Sequence, residues 1–366
     1  MINLGFFPSR RLAFYMVKLF LTRSFAVLFA LVLVLMTLDL LGEAGKILAV
    51  PGNGDSALWH YVALRVPLLV SRFLPFAVLL GTLIAFVGLN QHSEVVAMKA
   101  AGMSAHQILA PLIVASIGIS AALFAFNEGV VVNSARHVNA WSDNDYKPIP
   151  PASGVLSNVW LLQGDDLFRA GIVTGRGPRM VLHSVTVYDR SGGILQRVIS
   201  APRAVPVPSG GWRLEDVQIY DANMNLVRHT PELQGLAGIK PDQFTLAHVD
   251  PTELDYWTLK ARIAELEAAG RPTDEARAGL AHKLSQPLSI LLMPLLAAVA
   301  AFGLARSGQV LARASLGMGL GFAYFVADNF SLAMGNAGAY PPMIAAWAPF
   351  LLFLLIGEAV LVRTEE

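Results

Sequence analysis

The chain has 366 residues, of which 55% are hydrophobic and 14% are charged, and its formal net charge is +1. A mean hydropathy of +0.54 is too high for a soluble globular protein of ordinary composition. The near-neutral charge excludes an overall electrostatic field suited to nucleic acid or to an acidic partner. The absence of cysteine excludes disulfides, cysteine metal sites and thiol catalysis. We therefore interpret the chain as an integral membrane protein.

Six apolar runs predict six transmembrane helices, since each approaches the ~20 residues that an α-helix needs to cross the hydrocarbon layer. A basic segment precedes the first run, as in a signal peptide, but this run is longer than a signal core and no clear cleavage site follows it. The fifth run is the weakest because Asp328 interrupts it. The runs cover residues 24–44, 62–89, 107–132, 285–305, 313–334 and 343–362.

Basic residues near the spans predict the orientation of the chain. If the N-terminus is internal, the two short external loops hold Lys46 as their basic residue, whereas the cytoplasmic segments hold several. This asymmetry follows the positive-inside rule and predicts that both termini are cytoplasmic and that residues 134–283 are external. The basic residues of the cytoplasmic segments are Arg10, Arg11, Lys18, Arg23, Lys99, Arg306, Arg313 and Arg363.

The region between the third and fourth spans changes to short β-rich runs separated by Gly, Pro, Asp and Ser clusters. Runs such as VWLLQ, LFRAGIV, RMVLHSVTVYD, ILQRVISA and GWRLEDVQIYD predict an all-β sandwich or jelly roll. Residues 258–270 then predict an exposed helix that ends at Gly270. The predicted plan has three spans in 1–133, an external β-jellyroll-like domain with a helical return in 134–283, and three spans in 284–366.

Motifs for catalysis and nucleotide binding are missing from the sequence. The phosphate-binding pattern G-x-x-x-x-G-K-[ST] is absent, and GEAGKI at 42–47 has the wrong spacing for it. No H-E-x-x-H zinc motif occurs, and GMSAH at 102–106 lacks the second glycine of a nucleophile elbow. We therefore expect that the chain is not an enzyme and binds neither a metal nor a cofactor.

A short polar segment, SEVVAMKAAGMS at 93–104, separates the second and third spans. Ser93 is a candidate N-cap for a small helix, and Glu94 suits the positive end of its dipole. Gly102 can supply the left-handed residue that ends it. These signals predict a small cytoplasmic helix at 93–103.

The third span then begins at an S-x-x-Q capping box formed by Ser104 and Gln107. The small helix before it has two interpretations, which the residues alone favour equally. It is an ordinary intracellular loop, or it is a coupling helix that seats in a groove of a separate ATPase, with Glu94 as its polar anchor.

The order SE-x-x-x-M-x-AAG-x-S in this segment resembles the LptF/LptG family of lipopolysaccharide export permeases. The stretches VWLLQGDDLFRAGIV, VTVYDRSGGILQRVISAPRAV and GWRLEDVQIYD resemble the β-jellyroll of that family. LDYWTLKARIAEL and HKLSQPLSILLMPLLA resemble its return into the fourth span. The similarity covers essentially the whole chain, and LDLLGEAGK at the end of the first span looks more like the LptG branch.

This resemblance implies one half of an ABC-transporter permease, paired with an LptF-like subunit and joined by an LptC-like membrane-anchored protein. An LptB-like ATPase dimer would use ATP to drive it. The substrate would be lipopolysaccharide, drawn from the bacterial inner membrane and passed to the periplasmic jellyroll. Carried over residue by residue, Glu94 is the carboxylate that faces the ATPase, and the residues packing around it are Val95, Ala97, Met98 and Gly102.

Basic residues in the outer part of the spans are candidate ligands for the phosphates of such a lipid. Arg65 and Arg72 are seven residues apart, which places them on one face of the second span, and arginine binds phosphate through two parallel hydrogen bonds. The alternative is that they snorkel to the interface or form ion pairs inside the membrane. Their candidate ion-pair partners are Asp39, Glu128 and Asp328.

Lys46 closes the first span, at the level where the family contacts the lipid phosphates. The sequence departs from the family here, because Gly42 and Glu43 stand where relatives often carry lysines. We expect Arg72 to compensate for that loss. Arg136 and His137 lie just outside the third span and are two further candidate contacts. The alternative is that they are solvated residues at the rim of the membrane.

Three classes of function compete for this sequence. A lipid-exporting permease subunit accounts for the small helix, for the charged face of the second span and for the β domain. A membrane anchor whose β domain recruits envelope proteins accounts for the β domain alone. A membrane-embedded hydrolase lacks a nucleophile–base pair or a metal-ligand set. The sequence therefore favours the permease.

Overall fold

The computed structural model describes residues 9–148, 156–163, 165–175, 179–207, 210–235, 239, 249–268, 271–303 and 310–363. Gly270 and Arg306, which the sequence predictions include, lie outside these ranges. The described helices are α1 (Arg10–Leu48), α2 (Asp55–Gln91), α3 (Glu94–Ala100), α4 (Ala105–Phe126), α5 (Val132–Asp143), α6 (Tyr256–Ala268), α7 (Asp274–Ala298), α8 (Val310–Asn336) and α9 (Pro342–Arg363).

Two π-helical segments extend helices of this set. Asn127–Val131 joins α4 to α5, and Val299–Gly303 follows α7. A π-helical turn admits one extra residue into the helix and re-aims the side chains on either side of it.

Within the described ranges, five helical stretches are long and apolar enough to cross a membrane. They are Arg10–Leu48, Asp55–Gln91, Ala105–Asp143, Asp274–Ala301 and Pro342–Arg363. The fifth predicted span corresponds to α8, which is one continuous helix of 27 residues but is not among these five. Asp328 and Asn329 lower the hydropathy of its second half. The predicted membrane-helical class is thus confirmed, with five candidate spans found within the described ranges and six predicted from the sequence.

The chain divides into two compact units. The helical unit contains Met1–Asp39, Val66–Val131 and Leu254–Glu366, and the sheet unit contains Leu40–Arg65 and Val132–Glu253. The end of α1 and the start of α2 therefore belong with the sheet. The helical return before the fourth span belongs to the helical unit.

The sheet unit confirms the predicted all-β domain. Its described strands pair in sequence order, each antiparallel to the next, so that they form a meander. The strands are β1 (Leu156–Gln163), β2 (Asp166–Thr174), β3 (Val181–Ser191), β4 (Ile194–Pro206), β5 (Trp212–Asp221) and β6 (Leu226–Gly235). β6 is absent from the predicted runs because LVRHTPELQG carries charges and a proline, which suit an exposed edge strand.

One face of the meander carries the sheet core. Along β5, Trp212, Leu214 and Val217 are buried. The indole Nε1 of Trp212 donates a hydrogen bond to the carbonyl of Ile239 (3.0 Å), so the polar atom of this large ring is satisfied inside the core. Successive strands add further buried apolar side chains to the same cluster, among them Phe168, Leu182 and Ala204.

Close packing in the helical unit depends on glycines at helix crossings. A Cβ placed on Gly81 of α2 would lie 2.5 Å from the backbone N and Cα of Ser24 on α1. Such approach is typical of membrane helices, where small residues let backbones come together because the lipid supplies no hydrophobic driving force. Gly88, seven residues further along α2, has no atom within 4 Å of the same position.

We therefore expect Gly81→Ala to destabilise the protein and Gly88→Ala to leave it as stable or slightly more stable. The clash at Gly81 is with backbone and cannot relax by a side-chain rotation, so its cost should be about 1–3 kcal/mol. The measurement is the apparent melting temperature of the two variants in the same detergent. Equal melting temperatures would show that α1 and α2 do not meet at Gly81.

Candidate functional site

The turn before α3 differs from the predicted cap. Ser93 has a φ of 59°, in the left-handed region, and its side chain makes no capping hydrogen bond. Its backbone N–H donates to the carbonyl of Asn90 (3.1 Å), within the turn that ends α2. The prediction that Ser93 caps α3 is wrong, because an N-cap residue needs extended backbone to aim its oxygen at the first helical turn.

The other end of α3 confirms the predicted signals. Gly102 has a φ of 82°, and its N–H donates to the carbonyl of Lys99 (2.9 Å), while the N–H of Met103 donates to that of Met98 (3.2 Å). This pair of bonds is the Schellman pattern, which needs a left-handed residue and favours glycine. Ser104 and Gln107 then form the predicted capping box, with both hydrogen bonds at 3.1 Å.

The two faces of α3 differ sharply in exposure. Val95 and Met98, which the family resemblance places around Glu94, are buried in the core of the helical unit. They lie three positions apart and so share one face of the helix. The opposite face exposes Ala97, followed by Gly102, and its Val96 side chain is 64% exposed. The α3 segment is thus anchored inward by two side chains and presents a small-residue surface outward.

Glu94 is held at the start of this helix by a residue from α1. The Tyr15 hydroxyl donates a hydrogen bond to Glu94 Oε1 (3.2 Å). The carboxylate is half-buried and sits in the first turn, where the helix dipole favours negative charge. Tyr15 has no counterpart in the sequence predictions, since a contact between residues 79 positions apart leaves no local signal.

Lys46, at the end of α1, lies beside a cavity of about 760 Å³ in the sheet unit. Its ammonium contacts Glu43 Oε1 at 2.9 Å, and its side chain is 67% exposed. The cavity wall also includes Tyr146 and Lys147. Lys46 is therefore accessible, and its ion-pair partner is Glu43.

The two arginines of α2 have different surroundings. Arg72 is exposed, and none of the described residues forms an ion pair or hydrogen bond with its side chain. Arg65 is half-buried and has an interaction partner. Two of the three carboxylates proposed as partners for the arginines are engaged elsewhere: Glu128 with Lys283 and Asp328 with His282, both at 3.1 Å.

Arg136 and His137 make local contacts within the sheet unit. The Arg136 guanidinium donates to the backbone carbonyl of Glu253 (2.9 Å), and Asn139 donates to the carboxylate of that same residue (2.9 Å). The His137 ring contacts the carbonyl of Asn133, one turn back on α5 (2.7 Å). Arg136 thus connects α5 by a hydrogen bond to the segment that follows the sheet. His137 is exposed, and its ring contacts its own helix.

The sequence model of the family described as "Lipopolysaccharide export system permease LptF/LptG" matches residues 14–363. The chain belongs to the LptF/LptG family. Its relatives include the lipopolysaccharide export system permease protein LptG of Escherichia coli K12, 27% identical over 311 residues that cover 83% of this chain and 84% of that protein. LptG of Haemophilus influenzae Rd is 23% identical over 323 residues, 86% of this chain and 89% of the relative. The family and the apolar helices identify a multi-pass inner-membrane protein.

A polar network crosses the helical unit of this LptF/LptG member. Asn127, the first residue of the π-helical segment after α4, accepts a hydrogen bond from Ser71 Oγ (2.7 Å) and donates one to Gln286 Oε1 (3.0 Å). The Gln286 amide donates in turn to the Ser71 carbonyl (3.2 Å). These three residues join α2, the π-helical segment and α7 in a closed ring of hydrogen bonds.

Charged groups adjoin this ring. Glu128 accepts from Lys283 through Oε1 and from the backbone N–H of Tyr256 through Oε2. His282 contacts Asp328 of α8, and both side chains are at least 79% buried, with exposures of 21% and 15%. Sequence reasoning singled out Glu128 and Asp328 as partners for the arginines, and the structure pairs them with other residues. The position of these ionisable residues inside apolar runs indicates that they need partners. Which partners they find depends on which helices pack against each other.

The described residues contain no group of three or more His, Cys, Asp or Glu side chains arranged to hold a metal ion. The candidate sites are the α3 segment with Glu94, and the basic residues Lys46 and Arg72.

Proposed function

We propose that the chain is the transmembrane permease subunit of an ABC transporter that extracts lipopolysaccharide from the inner membrane. Its periplasmic β-jellyroll would receive the lipid and pass it toward the outer membrane, and a separate cytoplasmic ATPase would supply the energy. The family match over residues 14–363 carries this proposal. It spans the membrane helices and the sheet together, so it supports a function that needs both.

The chemistry of the substrate explains why such a machine needs energy and a sheltered route. Each buried CH₂ of an acyl chain contributes about 0.8 kcal/mol to membrane attachment, so several chains hold a lipid by an amount on the order of tens of kcal/mol. Spontaneous transfer through water is negligible at that cost. An apolar groove in the periplasmic β domain would shield the acyl chains along this route.

The α3 segment is the proposed contact with an LptB-like ATPase dimer. Its inward anchors, Val95 and Met98, would transmit force to the helical unit, and its exposed face, with Ala97 and Gly102, would fit a groove closely because it carries little side-chain bulk. Glu94 would supply the polar contact. ATP is then bound and used by the partner, and this chain binds no cofactor.

Arg72 and Lys46 are the proposed phosphate ligands for lipopolysaccharide. Arg72 supports this role best, because it is exposed and its guanidinium is not neutralised by a described carboxylate. Arg65 is a secondary candidate with an existing partner, and the contacts of Arg136 and His137 favour a structural role over a lipid contact.

The same proposal assigns the partners and the orientation. The chain would pair with an LptF-like permease, and an LptC-like membrane-anchored protein would join the pair. Both termini would be cytoplasmic and the sheet periplasmic, as the distribution of basic residues predicts. The competing proposal, a scaffold without transport, does not explain the anchored α3 segment or the exposed arginine at position 72, which has no ion-pair partner among the described residues.

We expect Glu94→Lys to remove the ATPase from the purified complex while the membrane subunits stay together. Reversing a buried interfacial charge costs about 2–5 kcal/mol, which corresponds to binding weaker by roughly thirtyfold or more. The measurement is the amount of ATPase recovered with the tagged chain. The matched control is Glu275→Lys, an exposed glutamate in the first turn of α7. Unchanged ATPase recovery with Glu94→Lys would contradict the docking role of α3.

We expect Arg72→Ala to reduce crosslinking of lipopolysaccharide to a photoreactive residue placed at Leu68, one turn away on α2. Removing the guanidinium removes a bidentate phosphate contact, and Arg72→Lys should give an intermediate yield because it retains charge but not the two-pronged geometry. The yield is measured on the full complex in membranes. A yield that is the same for Arg72→Ala as for the unaltered chain would exclude Arg72 from the lipid site.

A further inference from the structure

The Glu43 carboxylate is shared between two donors beside the cavity. Its Oε1 contacts the Lys46 ammonium at 2.9 Å, and its Oε2 accepts a hydrogen bond from the Tyr146 hydroxyl at 2.7 Å. The Glu43 side chain is 26% exposed, against 67% for Lys46. Lys46 can therefore leave this pair while the hydrogen bond from Tyr146 keeps Glu43 in place.

Tyr146 is fixed by its surroundings, which makes it a firm support for Glu43. Its ring is buried among Tyr61 and Trp141, with centroid distances of 6.2 Å and 5.2 Å. Its carbonyl accepts a hydrogen bond from the Asn53 side chain (3.0 Å). Tyr146 and the preceding Asp145 both have left-handed backbones, with φ of 58° and 52°. Such strain in non-glycine residues persists only where the packing around them enforces it, and it is typical of functional sites.

A second lysine follows this strained turn and lines the same cavity. The Lys147 ammonium lies 3.7 Å from Asp145 Oδ2, and both side chains are well exposed, at 62% and 85%. Lys147 is adjacent to Tyr146 in sequence, so the turn that buries the tyrosine also brings the second lysine to the cavity wall. Each of these two lysines therefore has an acidic partner within the chain, Glu43 for Lys46 and Asp145 for Lys147.

We propose that Glu43 is an internal counterion that competes with lipid phosphate for Lys46, and that Lys147 is a second cation of the same site. The inference rests on the proposed function, because it takes the phosphorylated headgroup of a lipid as the ligand. An exposed ion pair is worth little, so phosphate and carboxylate compete on nearly equal terms.

An exchange of phosphate and carboxylate at nearly equal free energy suits a transporter, which must release its ligand. A site that binds too tightly retains its cargo, and transport requires binding weak enough for release. When phosphate leaves, Glu43 is already positioned by Tyr146 to receive Lys46, so the empty site keeps a neutralised lysine.

The test measures binding of lipopolysaccharide to the full-length chain in detergent for Glu43→Gln. Glutamine keeps the size of the side chain and an acceptor for Tyr146 but removes the charge that holds Lys46. We expect binding to tighten by about two- to fivefold, the range for an exposed ion pair. The double variant Lys46→Ala/Glu43→Gln should bind no more tightly than Lys46→Ala alone. The control is Glu215→Gln, which removes an equal charge from a pair with Arg203 on the sheet (3.4 Å).

The outcomes separate the inference from the function on which it rests. If Lys46→Ala leaves binding unchanged, Lys46 is no lipid ligand, and that part of the proposed function fails. If Lys46→Ala weakens binding but Glu43→Gln does not strengthen it, the counterion role alone is overturned. An equal gain in Glu215→Gln would also overturn it, since the gain would then reflect net charge.

Free phosphate and a lipid headgroup share the same chemistry, and competition distinguishes them. We expect millimolar inorganic phosphate to leave lipopolysaccharide bound, because the acyl chains contribute most of the binding. Displacement by inorganic phosphate, together with no effect of Glu43→Gln on lipid binding, would show a site for the free anion and overturn the lipid assignment.

Discussion

Inside a membrane, polar groups have no water with which to form hydrogen bonds. The helical unit therefore supplies several of its polar side chains with hydrogen-bond partners from other helices. The closed ring of Ser71, Asn127 and Gln286 satisfies amide and hydroxyl groups between three helical segments. Glu128 and Lys283 neutralise each other beside it. The ring forms where the helix after α4 becomes π-helical, because the extra residue there re-aims Asn127 and its neighbour.

The two candidate sites follow from how each is anchored. In α3, the buried Val95 and Met98 fix the helix to the bundle, and the hydrogen bond from Tyr15 links the Glu94 carboxylate to α1. A force applied to the exposed face of α3 would therefore be transmitted both to the core of the helical unit and to α1. At the end of α1, Tyr146 fixes Glu43, and Glu43 in turn sets the position of Lys46. In both sites a tyrosine hydroxyl holds the acidic residue on which the proposed role depends.

Local signals in the sequence were sufficient for elements whose cause is local. The Gly102 stop, the Ser104–Gln107 box and the alternating strands up to β5 follow from backbone preference and short-range pattern, and the structure confirms them. The prediction of an N-cap at Ser93 is wrong because the N–H of Ser93 takes part in the turn that ends α2, and its backbone is left-handed. β6 was missed because it carries charges and a proline, which suit an exposed edge strand. The inward face of α3, the contact of Arg136 and the partners of Glu128 depend on which helices meet, and no short pattern records that.

Purification of the chain in mild detergent from its native membrane, with identification of the molecules that accompany it, tests the permease assignment most directly. The account predicts that a soluble ATPase, a second multi-span permease and lipopolysaccharide accompany it together. Recovery with envelope proteins alone, without ATPase or lipopolysaccharide, would contradict transport and favour the scaffold.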